Sequence, residues 1–538
     1  MVESSAKSSD LTNKRERKSI SKTPKFGYVV TKSYLRINYG IYTYRCRTLK
    51  PEIMKTIQFS ITICTTLILL ACSNSKTETQ EIQGSEKLVI SYESNGYLDQ
   101  GIIEDIRKEQ LRVKAISAYE YALPIVGVEQ WHKGFLKEAK HGDWLIYKDR
   151  STKVPIITAN TTTPYVVSLV DLAESNYYIE IPGGPIGGLV IDIYQTPLSD
   201  LGVVGPDKGQ GGKYLLIGPN SESPSEHDAD FIVKSTSNLV FLGTRIIGLE
   251  GEAYENALNK HKVYKTTESG DNQKFIEATE NPTWMGNQPH GLEYWEDLNR
   301  VLQNEPVVDR NRFILTQLRG TGIEKESDFS PNQLQKDVLI EAEEMGNAIA
   351  MVNTFSRESY KEKHWSDRNW LYILNMEHLD HLHPNYYEVQ EIASYTYEAI
   401  TTSKGMVLNN VGSGSKYLGS YIDKEGNWLD GKNTYEIVVP KDAPANQFWS
   451  ITVYDNDTRC IIQNEQALSD ISSVMNELKV EDDGSVKVYV GPSAPNGYEN
   501  NWVQSNPEKG FFVYLRLYGP LEAYYDKSWK MPDVQKIK

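Results

Sequence analysis

Three stretches near the C-terminus, residues 447–455, 482–490 and 510–520, constrain the fold more than any other feature of the sequence. In each, large apolar residues alternate with small or polar ones, which is the period-2 pattern of a strand with one buried face. Asp-Gly and Asn-Gly pairs, which favour tight turns, lie between them. We therefore expect antiparallel strands stacked around one apolar face, with residues 435–439 pairing with residues 448–454.

The rest of the chain alternates between helical and β-rich patterns. Helical spacing across residues 101–150 contains Pro124, which predicts a helix that is kinked or split at the proline. Short apolar runs between Gly and Pro residues make 151–283 a first β unit; helical spacing returns over 284–400, and 401–538 is again strand and turn. The predicted fold class is α+β, mainly β: two β-sandwich or jelly-roll-like domains with an N-terminal helical segment and a helical insert between them.

A glycine-rich segment at residues 202–213 superficially resembles a phosphate-binding loop. Its spacing matches neither nucleotide fingerprint, and it leads into an apolar strand at residues 213–217 rather than opening a helix. We interpret it as a glycine-rich hairpin loop, and no cofactor is predicted.

The net charge of −15 is distributed unevenly along the chain. Residues 1–53 carry 12 Lys and Arg against 4 Asp and Glu, which leaves residues 72–538 with a net charge of −24. A body this acidic repels phosphate backbones, so a nucleic-acid partner is not expected.

A targeting signal starts at Met54. One lysine is followed by an apolar run over residues 57–70 and then by Leu-Leu-Ala before Cys72. This arrangement resembles the lipobox of bacterial lipoproteins, so we expect residues 54–72 to form a signal peptide and lipobox, with a membrane anchor attached to Cys72. The alternative is a single N-terminal membrane anchor with a basic cytoplasmic tail.

The lipobox interpretation orders the rest of the N-terminal region. Residues 1–53 become a doubtful N-terminal extension, and residues 73–100 a solvated tether. Cys460 is then the one cysteine left in the mature body, which excludes an intrachain disulfide there. The expected location is the bacterial cell envelope, either periplasmic or surface-exposed.

Two groups of motifs resemble known families. The first resembles domain of unknown function 1214 (DUF1214) and comprises residues 446–459, 491–492, 501–502, 515–520 and 526–529. The second resembles its usual partner, DUF1254, and comprises residues 157–165, 170–172 and 202–219. The resemblance implies a helical segment and two sandwich or jelly-roll domains, often in oligomers, and therefore a homo-oligomer here. Thr162 stands where the common family pattern has Asp, so no proposal can rely on a carboxylate at that position.

Four polar residues are catalytic candidates because they lie on otherwise apolar strands or beside them: Asp455, Arg516, Tyr518 and Asp526. An arginine inside Leu-Arg-Leu is costly to bury unpaired, so we expect Arg516 to have a carboxylate partner such as Asp455 or Asp526. The pair would either belong to an acid/base or substrate-anchoring site, or form a structural tie within the sandwich.

A second set has side chains suited to ligand binding: Asn160, Thr163, Tyr165, Trp449, Arg459, Asn501 and Trp502. The tryptophans could stack on sugar rings or aromatic ligands, or could simply fill the core. A third set, His378, His381 and His383, has the spacing H-x-x-H-x-H that could place imidazoles around a metal. The alternative is that these histidines are solvated, because Pro384 ends any helix there.

No complete catalytic motif occurs in the sequence, so whether the protein is an enzyme stays open. The favoured hypothesis is an exported lipoprotein that binds or hydrolyses a small organic or carbohydrate-like ligand in a β-sandwich pocket. The alternative is a non-catalytic binding or scaffold lipoprotein of the cell envelope. Catalysis requires Asp455 or Asp526, Arg516 and Tyr518 to converge in an open pocket with at least one unpaired polar group, whereas their burial in a closed salt bridge would favour the scaffold.

Overall fold

The structure is a computed structural model that describes residues 88–148, 153–279, 284–357, 363–374, 378–407 and 409–538. The predicted N-terminal extension, the signal peptide with Cys72 and most of the tether lie outside these residues. Along the described ranges, no helix combines the length and the apolarity that crossing a bilayer requires.

Helices and strands each account for 26% of the chain. The α-helices in the described ranges are α1 Ile103–Phe135, α2 Gly251–Leu258, α3 Leu292–Asn304, α4 Asp309–Leu318, α5 Gln333–Phe355, α6 Val389–Glu398, α7 Lys404–Val407 and α8 Glu522–Tyr525. Single 3₁₀ turns occur at Gln100–Ile102 and Glu499–Asn501. The predicted fold class is confirmed: several sheets are combined with an N-terminal helix and an inserted helical region.

The first sandwich is built from ten strands: β1 Trp144–Tyr147, β2 Tyr165–Asp171, β3 Tyr177–Ile181, β4 Ile186–Asp192, β5 Pro197–Gly202, β6 Gly212–Ile217, β7 Phe231–Lys234, β8 Leu239–Ile246, β9 Lys262–Lys265 and β10 Phe275–Glu277. A six-stranded sheet, ordered β10-β1-β2-β8-β4-β5, packs against a four-stranded sheet, ordered β7-β6-β3-β9. Trp144, Ile179 and Leu242 belong to the apolar core between them. The glycine-rich loop joins β5 to β6, which lie in different sheets, so the predicted hairpin is wrong.

The remaining strands are β11 Leu371–Tyr372, β12 Leu382–His383, β13 Tyr386–Tyr387, β14 Ser415–Ser420, β15 Tyr435–Val439, β16 Ala445–Asp455, β17 Asp470–Ser472, β18 Val486–Gly491, β19 Trp502–Gln504, β20 Phe511–Pro520 and β21 Gln535–Lys536. The second sandwich pairs a five-stranded sheet, β11-β14-β20-β16-β17, with a four-stranded sheet, β19-β18-β15-β21. Strands β12 and β13 form a separate two-stranded ribbon.

The predicted pairing of β15 with β16 is wrong. Strand β15 pairs with β18 and β21, whereas β16 pairs with β20 and β17. The intervening loop carries the chain from one sheet to the other, and Ile437 and Ile451 belong to the core that both sheets enclose. An alternating pattern fixes which face of a strand is buried but not which strand lies beside it.

A helical layer covers the outward faces of the six-stranded and five-stranded sheets. Its largest member, α1, runs without a break through Pro124, so the predicted split does not occur. Pro124 and its neighbours are buried, and packing outweighs the backbone hydrogen bond that a proline removes. One large apolar cluster joins this layer to both sandwiches.

Candidate functional site

A cavity of about 210 Å³ lies where the outward faces of the two sandwiches approach each other. Strands β2, β4 and β8 form one wall, and β14, β20 and the start of β16 form the opposite wall. Residues 399–406, which lead into and include most of α7, close a third side. A pocket within a β-sandwich was predicted from the sequence, whereas this cavity lies between the two sandwiches.

Two glycines shape the wall that the first sandwich provides. Gly243 on β8 lies between Val167 and Leu189 on the neighbouring strands, and the ring of Phe241 lies over it, since an added Cβ would be 2.9 Å from that ring. Gly187 on β4 lies opposite Arg245. A Cβ atom added to Gly187 would meet only Ile247 Cδ1, at an ordinary contact distance of 3.5 Å. The opening at Gly187 therefore arises because glycine lacks a side chain, and the backbone there has no unusual geometry.

Strand β20 supplies Arg516. Because side chains alternate across a strand, Tyr514, Arg516 and Tyr518 project towards the cavity. Leu515 and Leu517 project into the core of the second sandwich. The Leu-Arg-Leu pattern thus places its arginine on the inter-sandwich face, and the apolar core contains no unpaired charge at this position.

One nitrogen of Arg516 is firmly held. Its Nη2 donates to the carbonyl of Thr158 and to the hydroxyl of Tyr454. Thr158 has a φ of 43°, which is a strained value for a β-branched residue, and its amide donates to the carbonyl of Arg459 at 2.8 Å. The Nε atom of Arg516 is buried and has no hydrogen-bond partner among the described residues. The guanidinium is fixed through one nitrogen while donors on its other nitrogens stay available.

Arg245 on β8 supplies a second guanidinium. It lies 5.0 Å from the ring centre of Tyr165, and its Nη1 is 3.4 Å from the hydroxyl of Thr163. Asn160 orients both of these residues: its Oδ1 accepts the amide of Thr163 at 3.1 Å, and its Nδ2 donates to Tyr165 at 2.9 Å. Thr163 and Tyr165 line the cavity, and the buried Asn160 supports them from behind.

Phenol groups lie close to both arginines. The Arg516 guanidinium is 5.0 Å from the ring of Tyr417, its cross-strand neighbour on β14. Burial raises the pKa of Tyr518, while the positive charges of Arg245 and Arg516 oppose that rise. Tyr518 therefore remains a neutral hydrogen-bonding group at ordinary pH and does not neutralise either arginine.

The two arginines are the charged residues in the lining of this cavity, which contains no Asp, Glu, Lys, His or Cys among the described residues. Neither Arg245 nor Arg516 forms an ion pair with any carboxylate in the described part of the chain. The remaining walls are apolar or carry hydroxyl groups, with Val167, Leu189 and Phe241 on the side opposite β20. The cavity is thus positively charged inside an acidic protein.

The carboxylate partners expected for Arg516 lie elsewhere. Asp455 pairs with Lys509 at 3.1 Å and accepts the amide of Asp457 at 2.9 Å, so it organises the turn after β16. Asp526 is exposed at the end of α8, where the amide and the side chain of Ser528 lower its pKa. Of the four catalytic candidates, the structure brings Arg516 and Tyr518 together and separates both aspartates from them.

Two ligand-binding candidates are held in structural networks. Arg459 is buried, donates to Tyr397 O at 2.9 Å and to Gln288 Oε1 at 2.8 Å, and lies 4.2 Å from the Tyr397 ring centre. Asn501 is fully buried and donates to two backbone carbonyls, those of Lys479 and Lys487, both at 2.8 Å.

The tryptophan candidates lie outside the cavity lining. Trp449 is part of the core between the two sheets of the second sandwich. Trp502 is half-buried, and its indole N–H donates to the carbonyl of Gly491 at 2.9 Å. Neither presents a free face to the cavity on which a sugar ring could stack.

The three histidines occupy the β12–β13 ribbon and its approach. His381 is buried, and burial together with nearby Arg310 lowers its pKa to about 3. His383 stacks on Tyr386 with ring centres 4.1 Å apart, and the ring of His378 is 5.6 Å from that of His383. Within the described ranges, no three His, Cys, Asp or Glu residues are grouped as a metal site would require.

Sequence reasoning missed Arg245, Tyr417 and the two glycines. Residues 239–246 form an apolar run interrupted by an arginine, as residues 513–518 do, so the argument applied to Arg516 could have identified Arg245. A glycine inside a strand pattern signals a bulge or a close approach, which fits Gly243 beneath the Phe241 ring, and the sequence gives no indication that Gly187 leaves an open space instead.

Two family profiles match the chain. The Protein of unknown function (DUF1254) profile covers residues 146–268, and the Protein of unknown function (DUF1214) profile covers residues 414–522. The chain therefore contains both domains of the DUF1254–DUF1214 pair, as the sequence motifs predicted. Arg245 lies in the DUF1254 domain and Arg516 in the DUF1214 domain, so each domain of the pair contributes one arginine to the cavity.

Two solved structures align with this chain over most of its length. One is the VPA0106 protein from Vibrio parahaemolyticus, with 17% identity and a TM-score of 0.47, covering 80% of this chain and all of that chain. Another is a putative uncharacterized protein from Burkholderia cenocepacia, with 10% identity and a TM-score of 0.38, covering 81% of this chain and 97% of that one. Among curated protein sequences, none matches this chain.

Proposed function

We propose that this protein binds a small, largely apolar organic molecule in the cavity between its two sandwiches. The observation that carries the proposal is the cavity itself, whose wall is left uncovered at Gly187, where a larger side chain would project into it. Protein interiors are normally packed without voids of this size, so a cavity at a domain junction is a default candidate for ligand binding.

The size of the cavity limits its occupant. Its volume of about 210 Å³ lies below the range of roughly 300–1,000 Å³ that is usual for drug-sized ligands. The walls are mostly aliphatic and aromatic, and the tryptophans that could have stacked on sugars are used elsewhere. A compact hydrocarbon or aromatic body therefore fits better than a glycan.

The lining supports binding better than hydrolysis. Hydrolysis needs an activated nucleophile or a general base, and the described lining contains neither a carboxylate nor an imidazole that could act as one. Tyr514 and Tyr518 in the lining stay neutral, because burial raises the pKa values of both.

The predicted lipobox gives the binding function a location. Cleavage before Cys72 and lipidation of its thiol would tether the ligand-binding body to a bacterial envelope membrane. Replacing Cys72 with Ser would then move the protein from the membrane fraction to the soluble fraction. Unchanged fractionation would rule out the lipid anchor but would leave the cavity proposal intact.

A cavity-filling series tests the binding proposal. Calorimetric titration with benzamide, a neutral compound that fits the cavity, should give measurable binding to the wild-type chain. Gly187→Ala should weaken this binding and Gly187→Val should abolish it, because each added carbon projects into the cavity. Thr316→Leu, which adds apolar bulk at an exposed position on α4, is the control and should leave the titration unchanged. Equal binding to wild type and Gly187→Val would overturn the proposal.

A further inference from the structure

The charged residues of the cavity restrict the class of its ligand more closely than its volume does. Arg245 and Arg516 approach it from opposite sandwiches, and the pKa values of both respond to the same three phenols, those of Tyr165, Tyr417 and Tyr518. The two guanidinium groups therefore face one cavity and have the same three phenols near them.

Guanidinium groups in such a dry environment normally have anionic partners. Leaving a charge buried without one costs several kcal/mol, which is why buried arginines elsewhere in proteins are paired. In the described part of this chain, Arg357 follows that rule and forms an ion pair with the buried Glu398. The buried Arg459 donates from all three guanidinium nitrogens to neutral oxygens. Among the described residues, Arg245 and Arg516 have only neutral partners, namely hydroxyl groups, a carbonyl and aromatic rings, and the Nε of Arg516 has none.

Arg516 lines the cavity and retains a hydrogen-bond donor that the described chain does not satisfy. Its Nη2 is anchored by Thr158 and Tyr454, while Nε is buried and has no partner in the described residues. The strained φ of 43° at Thr158 is the conformation in which that carbonyl meets the guanidinium. Backbone strain held beside a polar cavity is typical of a binding site that is organised before the ligand arrives.

We infer that the molecule bound in this cavity is an organic anion whose charged head group is held jointly by Arg245 and Arg516 while its compact apolar body lies against Val167, Leu189 and Phe241. This inference rests on the proposed function and specifies its ligand class. A carboxylate and a phosphate-like head group share the required chemistry, because both accept paired N–H donors from a guanidinium fork.

The inference also explains why two domains are paired. Neither Arg245 in the DUF1254 domain nor Arg516 in the DUF1214 domain surrounds the head group alone, so the binding site is complete only at their junction. Ligand binding would therefore also stabilise the junction, since a ligand that binds only the folded state raises its stability.

The test compares three probes of one shape. Benzoate, phenylphosphonate and neutral benzamide are titrated by calorimetry into the wild-type chain, Arg245→Met, Arg516→Met and the control Arg312→Gln, which removes an exposed arginine on α4. At least one anion should bind wild type about 10- to 100-fold more tightly than benzamide, since a hydrogen bond to a charged group contributes far more than a neutral one. The tighter of the two anions identifies the head group.

Each Met variant should lower the affinity for that anion by about 10- to 100-fold and change the affinity for benzamide by less than about threefold. The control Arg312→Gln should bind all three probes as wild type does. Arg245 is half-buried, so Arg245→Met provides the result even if Arg516→Met fails to fold. Benzamide binding as tightly as both anions, with loss of binding in Gly187→Val, would overturn the anion inference and leave the proposed function standing. No binding of any of the three probes to wild type would overturn both.

Discussion

Four arginines lie along the contact between the helical layer and the two sandwiches, and they form two contrasting pairs. Arg357 and Arg459 are enclosed: the first forms an ion pair with Glu398, and the second donates to Tyr397 and Gln288. Arg245 and Arg516 face the cavity, and no carboxylate in the described chain neutralises them. All four sit among aromatic rings, so their surroundings are otherwise alike.

The contrast teaches that burial alone does not tell a structural arginine from a binding one. The distinguishing property is whether the described chain supplies acceptors for the guanidinium: Glu398 does so for Arg357, and oxygens of Tyr397, Asp457 and Gln288 do so for all three nitrogens of Arg459. Where the acceptors are part of the chain, they tie elements together. The Nε of Arg516 has no acceptor among the described residues, and this free donor indicates the chemistry of the ligand. Removing each arginine should have a correspondingly different effect.

The largest expected effect comes from breaking the buried ion pair between Arg357 and Glu398. Arg357→Met leaves the buried carboxylate of Glu398 without its cation, which should lower the free energy of unfolding by about 3–5 kcal/mol. Urea denaturation followed by fluorescence measures the change. The double variant Arg357→Met/Glu398→Leu should recover part of the loss, because it removes both charges. A loss below about 1 kcal/mol for the single variant would place Arg357 in the same class as Arg516.

An intermediate effect is the pH dependence of stability, which should involve the buried His381 but neither of the cavity arginines. The pKa of His381 is lowered to about 3 by burial, so the folded state keeps it neutral while the unfolded state, with a pKa of 6.5, takes up a proton. Between those two values the unfolded state binds more protons, and stability falls as pH falls. Between pH 6.5 and 5.5, His381 should therefore lower the free energy of unfolding by about 1 kcal/mol.

The matched variant is His381→Asn, which tolerates the positive φ of 65° at this position. Wild type should lose about 1 kcal/mol more than the variant between pH 6.5 and 5.5 in urea denaturation. Binding of the anionic probe should stay constant over the same range, because arginines and tyrosines do not titrate there. An equal loss of stability in the two proteins would show that His381 is protonated when folded.

The smallest expected effect is on stability when the cavity arginine is removed. Arg516→Met deletes two hydrogen bonds and also an uncompensated charge, and these terms oppose each other. The hydroxyl of Tyr454 keeps its bond to the carbonyl of Ala159 at 2.8 Å. The free energy of unfolding without ligand should therefore change by less than about 1 kcal/mol. A loss comparable to that of Arg357→Met would make Arg516 a structural residue and would break the comparison.

The sequence was sufficient for the fold class and for part of the site. Alternation along residues 510–520 identified β20 and marked Arg516 and Tyr518 as polar residues on a buried strand. The same pattern could not show that β15 and β16 belong to opposite sheets, because period-2 spacing reports a face and carries no information about neighbours.

The partner of Arg516 was beyond sequence reasoning for a similar reason. Asp455 and Asp526 are close to it in sequence or motif, but β16 ends with Asp455 turned towards Lys509, and Asp526 lies at a helix end in solvent. Tyr454 and Tyr417 beside Arg516 lie in its own domain, but the carbonyl of Thr158 and the guanidinium of Arg245 come from the other domain. Their proximity depends on how the two sandwiches dock, which no local pattern encodes.

The central claim is that the two cavity arginines hold one anion between the two domains. Crystals of the protein grown with 4-bromobenzoate test it directly, because the bromine can be located by anomalous scattering. We predict that the carboxylate of 4-bromobenzoate lies within hydrogen-bond distance of both Arg245 and Arg516, and that its bromine lies near Val167, Leu189 and Phe241. A carboxylate that points to solvent, or a bromine bound only outside this cavity, would contradict it.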